Sequence, residues 1–287
     1  MSLPNSTFLL NGRVHIGAVH RGGTGIIREG LLRPGEKRVA VRVCHFSGPW
    51  DQQANERVLH EIRLLTSLEH PNIHSMLGII IETSKISIVT PWKDRGNAHD
   101  YVQNRMVDPR PLLRGIANGL FYLHHQGPEP IIHGNLKGTN VLISDDGLPE
   151  LSDFTCSFSF PSGMSPPSAT GITSAIWCAP RWTAPECIDN GGVASVKGDV
   201  WAFGMTALEL FTGKLPFHDI SQTQGVIIRI MKGPPDRPSG ESTYFRMTDK
   251  WWAVCLRCWT VVPSRPQISQ IVDKINEIPK EPQGIQG

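Results

Sequence analysis

Apolar positions along the chain fall into two rhythms. Across residues 52–68, Val58, Ile62, Leu65 and Leu68 recur at the spacing of one helical face, and His70-Pro71-Asn72-Ile73 ends that helix. Residues 112–125 form a second, strongly periodic helix, and Gly198-Asp199-Val200-Trp201-Ala202-Phe203-Gly204 opens a third, apolar helix. Residues 14–43 read instead as strands punctuated by glycine, and residues 79–90 as two further strands. Within residues 131–155 a short apolar run, Val141-Leu142-Ile143, and an Asp145-Asp146-Gly147 turn predict a hairpin. Residues 156–173, rich in Ser, Pro, Gly and Thr, predict a flexible segment.

The hairpin brings two polar clusters, His133 to Asn140 and Asp153-Phe154-Thr155, to one edge, so Asn140 and Asp153 can face a common ligand. A carboxylate beside an amide oxygen suits magnesium, above all magnesium that carries phosphate. Asp and Asn are also ordinary turn residues, so the cluster alone leaves both readings open. The glycines of His20-Arg21-Gly22-Gly23-Thr24-Gly25-Ile26-Ile27 let backbone amides approach phosphate. That loop runs from strand to strand, which argues against a dinucleotide-binding fold.

Composition narrows the picture further. A chain of 287 residues with 39% hydrophobic and 19% charged residues has ample core for one large domain or two lobes. The net charge of +2, without a long basic run, gives no reason to expect nucleic acid or an anionic membrane as partner. No signal-peptide pattern and no long apolar span occur. Six cysteines lack disulfide-scaffold or zinc spacing; Cys255 and Cys258, in a helical pattern with Trp251, Trp252 and Trp259, read as buried packing. The expected setting is reducing and cytoplasmic.

The order of the motifs adds a resemblance. His133, Leu136, Asn140, Asp153 and Phe154 resemble the catalytic and metal-binding loops of eukaryotic protein kinases, H-R-D-L-x-x-x-N followed by D-F-G. Val39-Ala40-Val41-Arg42 resembles V-A-I-K. Gly22, Gly25 and Ile27 fit the glycine-rich loop, with His20 in place of its first glycine. Thr183-Ala184-Pro185-Glu186, Asp199-Val200-Trp201 and Arg265-Pro266 match later signatures, Arg265 being the expected partner of Glu186. A small-molecule phosphotransferase is not expected to carry those last three together. Trp182-Thr183 and Lys137 together resemble the tyrosine-kinase-like group with Ser/Thr character.

The resemblance implies an α+β, bilobal protein-kinase fold: a small β-rich lobe with one regulatory helix, and a larger, mainly helical lobe. It places an N-terminal extension at 1–13, the small lobe at 14–90, hinge and large lobe at 91–278, and a disordered tail at 279–287. It assigns nucleotide contacts to Gly22, Gly23, Gly25, Ile27, Ala40, Arg42, Glu61, Thr90, Pro91 and Lys93, and the metal to Asn140 and Asp153. In this scheme Glu61 pairs with Arg42, Thr90 is the gatekeeper, and backbone groups of Pro91 and Lys93 face the adenine edge.

Four departures alter the centre. Asn135 stands at the catalytic-base position, Arg42 at the phosphate lysine, Gly134 at the loop arginine and Thr155 at the glycine of D-F-G; Lys137 is retained. Asn135 cannot act as a carboxylate base. Arg42 keeps the charge on a longer, forked head. Thr155 adds a β-branched side chain where glycine gives freedom. Gly134 removes the cation that would gather a phosphate from Thr170, Thr173 or Ser174. The resemblance thus implies weak binding of ATP with magnesium and a pseudokinase, or very weak kinase, acting through protein partners. The alternative is an active Ser/Thr protein kinase that transfers the ATP γ-phosphate to a protein hydroxyl from a compensated site.

Overall fold

The computed structural model describes residues 9–22, 25–45, 52–82, 85–159 and 179–280. Alternation along the strands builds the small lobe. Strands β1 (Val14–Gly22), β2 (Gly25–Leu32), β3 (Lys37–His45), β4 (Gly78–Glu82) and β5 (Lys85–Pro91) form an antiparallel sheet in the order β1-β2-β3-β5-β4. On β3, Val39 and Val41 turn to one face and join Leu10 and Val89 in a small core. Ala40 and Arg42, one residue out of step, face the other side. Leu10 precedes the expected lobe boundary, and its N–H bonds to Ile79 O at 2.9 Å.

Helix α1 (Gln52–Ser67) buries Ile62, Leu64 and Leu65 in the main core, in phase with the predicted helical face. Its buried Glu61 projects toward β3.

The large lobe is helical. After α2 (Ala98–Tyr101) come α3 (Pro109–His125), α4 (Pro185–Asp189), α5 (Val196–Thr212), α6 (Thr223–Met231), α7 (Asp249–Cys258) and α8 (Ile268–Asn276). Asp108 and Ser195 cap the N-termini of α3 and α5 by accepting from Arg110 N and Gly198 N. Every residue of α5 from Gly198 to Phe211 is buried, so it forms the lobe's centre.

Two short ladders carry the polar clusters. Strands β7 (Val141–Ile143) and β8 (Pro149–Leu151) form the predicted hairpin, its turn closed at Gly147 with φ +79. Strands β6 (Ile131–Ile132) and β9 (Phe158–Ser159), which sequence periodicity did not reveal, bracket the loop from His133 to Asn140 and the β7–β8 hairpin. The hairpin is fixed to the segment after α1 by His74 N–H to Leu151 O at 2.8 Å and Leu151 N–H to Asn72 O at 2.9 Å. These elements realise the bilobal α+β architecture expected from the sequence. No helix among the described residues is long and apolar enough to cross a membrane.

Candidate active site

Between the lobes lies a cavity of about 440 Å³, lined by Ile27, Ala40, Arg42, Glu61, Thr90, Pro91, Lys93, Asn140 and Asp153 among others. Nine of the residues singled out from the sequence therefore meet at one opening. Gly22 and Gly25 are paired at the end of the β1–β2 hairpin; Gly23 lies outside the described residues. Asn135 and Lys137 sit in the loop before Asn140, where Lys137 O accepts from Asn140 N–H at 2.9 Å.

The strand alternation that buries Val41 aims Arg42 at α1, where its Nη2 donates to Glu61 Oε1. Burial pushes the Glu61 carboxyl up, and the facing Arg42 guanidinium offsets this in part. The pair is nearly dry: the Glu61 side chain is 3% exposed and that of Arg42 18%. Removing either partner would strand a buried charge.

At the hinge, Lys93 turns its ammonium to Glu150 Oε1 at 2.6 Å, while Glu150 Oε2 meets His74 Nδ1 at 2.8 Å. Lys93 O accepts from Gly96 N–H at 3.1 Å, which leaves its second lone pair for a ligand. His74 also lines the cavity, and nothing in the sequence pattern had marked it.

The centre of the site is the Asp153 carboxylate. Asn135 Nδ2 donates to its Oδ2 at 2.7 Å, Asn140 Nδ2 to the same oxygen at 3.2 Å, and Thr155 Oγ1 to its Oδ1 at 2.7 Å. The Asp153 backbone is left-handed, with φ +62. Thr155 was expected only to stiffen the loop; here its hydroxyl donates to the Asp153 carboxylate. Phe154 is buried and packs on His133, ring centroids 5.2 Å apart. Burial pushes the His133 imidazole down, and the nearby Asp199 and Asp153 oppose this in part. Its Nδ1 accepts from Asn135 N–H at 3.2 Å, and its Nε2 lies 3.1 Å from Ser152 O.

Two buried acids from α5 hold the loop from below. Asp199 accepts from the N–H groups of His133 and Gly134 at 2.8 and 2.9 Å, and from His124 Nε2 at 2.9 Å. Glu209 accepts from Gly138 N–H and Trp182 Nε1, each at 2.9 Å, and meets His99 Nδ1 at 2.8 Å. An acid within an all-buried helix was the available signal for Glu209; its partners were not legible. Farther out, Arg265 Nη2 donates to Glu186 Oε2 at 3.0 Å, the pairing expected from the sequence. Thr170, Thr173 and Ser174 lie outside the described residues.

The His99–Glu209 contact yields a pH test. The hydrogen bond to Glu209 raises the His99 pKa, and burial opposes the rise in part. The folded state therefore binds this proton more tightly. Its contribution is fully present below the unfolded value of about 6.5 and is lost as pH rises through the raised folded value. Subtracting a His99→Gln thermal-stability profile from that of the parent should leave a difference that is flat at acidic pH and declines above neutrality. A difference that grows with pH would contradict the pairing.

Residues 14–275 match the family described as protein tyrosine and serine/threonine kinase, and the chain belongs to that family. It is 32% identical to cytokinesis protein sepH of Aspergillus niger over 189 residues, 64% of this chain and 13% of that protein. It is 30% identical to serine/threonine-protein kinase PBL27 of Arabidopsis thaliana over 202 residues, 67% of this chain and 38% of the relative. Similarity to ephrin type-B receptor 5 of Gallus gallus is 26% over 268 residues, 89% of this chain and 25% of the receptor. The chain thus spans well under half the length of these relatives.

Proposed function

We propose that this domain binds ATP weakly together with magnesium and works as a pseudokinase, or at most a very weak kinase, through contacts with protein partners. The observation that carries the proposal is Asn135. It occupies the catalytic-base position, has no ionisable group, and commits its amide to Asp153. A side chain in that state can orient a hydroxyl but cannot take up its proton. Nucleotide binding draws on other parts: the cavity, Ala40 on its wall, and the Arg42–Glu61 pair.

Asp153 and Asn140 fit a magnesium ion. They are in hydrogen-bond contact with each other and line the same cavity, so one cation could reach both. One carboxylate and one amide oxygen make a partial set, suited to an ion that arrives with phosphates. Among the described residues no group of three or more His, Cys, Asp or Glu forms a protein-only cage. When bound, the ion would neutralise charge on the phosphates. Gly22, Gly25 and Ile27 would cover the phosphates, Arg42 would pair with them, and Thr90, Pro91 and Lys93 would frame the base.

The second reading, an active Ser/Thr kinase with a compensated site, rests on Lys137 together with the assembled Arg42–Glu61 pair, Asn140 and Asp153. The names of two relatives include serine/threonine-protein kinase. Membership of the tyrosine-kinase-like group and a cytoplasmic setting belong to the same proposal, the latter supported by the free thiols of Cys44, Cys156, Cys187, Cys255 and Cys258.

Calorimetric and thermal-shift titrations with ATP and ADP, each with and without magnesium, test the binding claim. Weak saturable binding that Asp153→Ala reduces is expected; no binding at millimolar magnesium–ATP would refute it. Activity is decided separately, by phosphate transfer.

A further inference from the structure

Two of the departures from the kinase pattern, at positions 135 and 155, converge on one carboxylate. Asn135 Nδ2 reaches Asp153 Oδ2 at 2.7 Å and Thr155 Oγ1 reaches Asp153 Oδ1 at 2.7 Å, one donor for each oxygen. The family pattern supplies neither. There, position 135 is an aspartate, which only accepts when ionised, and position 155 is a glycine with no side chain. Asn140 Nδ2 adds a third donor at 3.2 Å. A carboxylate offers about four lone-pair positions, so three of those on Asp153 are taken by uncharged groups of the chain itself.

The Asn135 amide is committed to this orientation. Its Oδ1 is buried and finds no hydrogen-bond partner among the described residues. Turning the amide over to relieve that atom would set oxygen against oxygen at Asp153, so the donor stays where it is. Asp153 also has a left-handed backbone, φ +62, which is costly for a residue with a Cβ.

We propose that Asn135 and Thr155 take over part of what a divalent cation does for Asp153 in the family pattern: they position its carboxylate and stabilise its charge by hydrogen bonding, so that the domain's cation requirement is relaxed. The proposal deepens the functional reading, since it rests on Asp153 being the metal-position carboxylate. With aspartate at 135, two ionised carboxylates would be in contact and would repel unless a cation lay between them. With asparagine, the site is complete without one. A cation must then break hydrogen bonds to bind, which lowers its affinity.

The test needs no nucleotide. Thermal unfolding is followed in EDTA and in millimolar Mn²⁺ for the parent chain, Asn135→Asp, Thr155→Val and Thr155→Ser. The parent should move by no more than about 1 °C between the two conditions. Asn135→Asp should lose roughly 4–8 °C in EDTA and regain most of it with Mn²⁺. Thr155→Val should also lose stability in EDTA, and Thr155→Ser, which keeps the hydroxyl, should not. A purely structural role would give losses that Mn²⁺ leaves untouched, and that result overturns the proposal. So does an Asn135→Asp chain as stable in EDTA as the parent, or a parent that gains as much from Mn²⁺ as the variant. Should Asn135→Asp fail to fold in EDTA, refolding in Mn²⁺ supports the proposal, and failure in both buffers passes the decision to the Val/Ser pair. Absence of ATP binding in every chain would refute the nucleotide reading while leaving the Mn²⁺ rescue readable.

Discussion

Asn135→Asp combined with Arg42→Lys is expected to raise phosphoryl transfer to a protein or peptide hydroxyl by about one to three decades over the parent chain. The first change restores a carboxylate that can accept the hydroxyl proton. It also converts the donor on Asp153 Oδ2 into a second acidic group, so the gain should require magnesium. The second change replaces a forked guanidinium, now engaged with Glu61, by a compact ammonium that leaves more room for phosphate. Asn135→Asp should carry most of the gain, and the pair should not be additive, because both act on the geometry of one reacting group. Initial rates of labelled phosphate transfer, with Asp153→Ala as the blank, read the effect. Rates unchanged in the double variant would place the block elsewhere, at Thr155 or in closure of the lobes.

Restoring the third altered position should have the opposite outcome. Gly134→Arg would complete the family motif on paper, yet Gly134 lies at φ +72, and a Cβ there would sit 2.7 Å from Cys156 O. Its N–H is also tied to Asp199 Oδ1 at 2.9 Å, so the backbone is not free to rotate away. The left-handed conformation costs about 1–2 kcal/mol for a residue with a Cβ. Overpacking against a backbone carbonyl adds roughly 1–3 kcal/mol. Gly134→Arg should therefore lower the unfolding midpoint by on the order of 10 °C. Gly134→Ala should cost nearly as much, which separates the backbone cause from the size and charge of arginine. An alanine variant within about 0.5 kcal/mol of the parent would show that the loop adapts freely.

The ease of reading these features from sequence followed the length scale of each interaction. Ala40 and Arg42 came through the V-A-I-K resemblance, and the structure sets them opposite Val39 and Val41 because a strand commits neighbours to opposite faces. The β7–β8 hairpin was legible because Asp-Gly turns have local chemistry. The Arg42–Glu61 pair came through the family pattern, and the structure brings the two together. Other features depend on tertiary approach. Nothing local to Thr155 announces that its hydroxyl meets Asp153, nor that His74 and Glu150 restrain Lys93 at the hinge. The β6–β9 ladder, two residues on each strand, is too short for any periodicity to register. Gly134 read as a missing charge, whereas its backbone angle and the nearness of Cys156 O give it a steric reason of its own.

The central claim is that this kinase-family domain holds nucleotide but has lost efficient chemistry, and single-turnover conversion of ATP with excess domain, followed together with autophosphorylation, tests it most directly. The account predicts that bound ATP and magnesium persist with transfer at most marginally above that of Asp153→Ala. Transfer by the parent chain at the rates usual for kinases, about 1–100 s⁻¹, abolished by Asp153→Ala, would contradict it and establish the compensated-kinase reading.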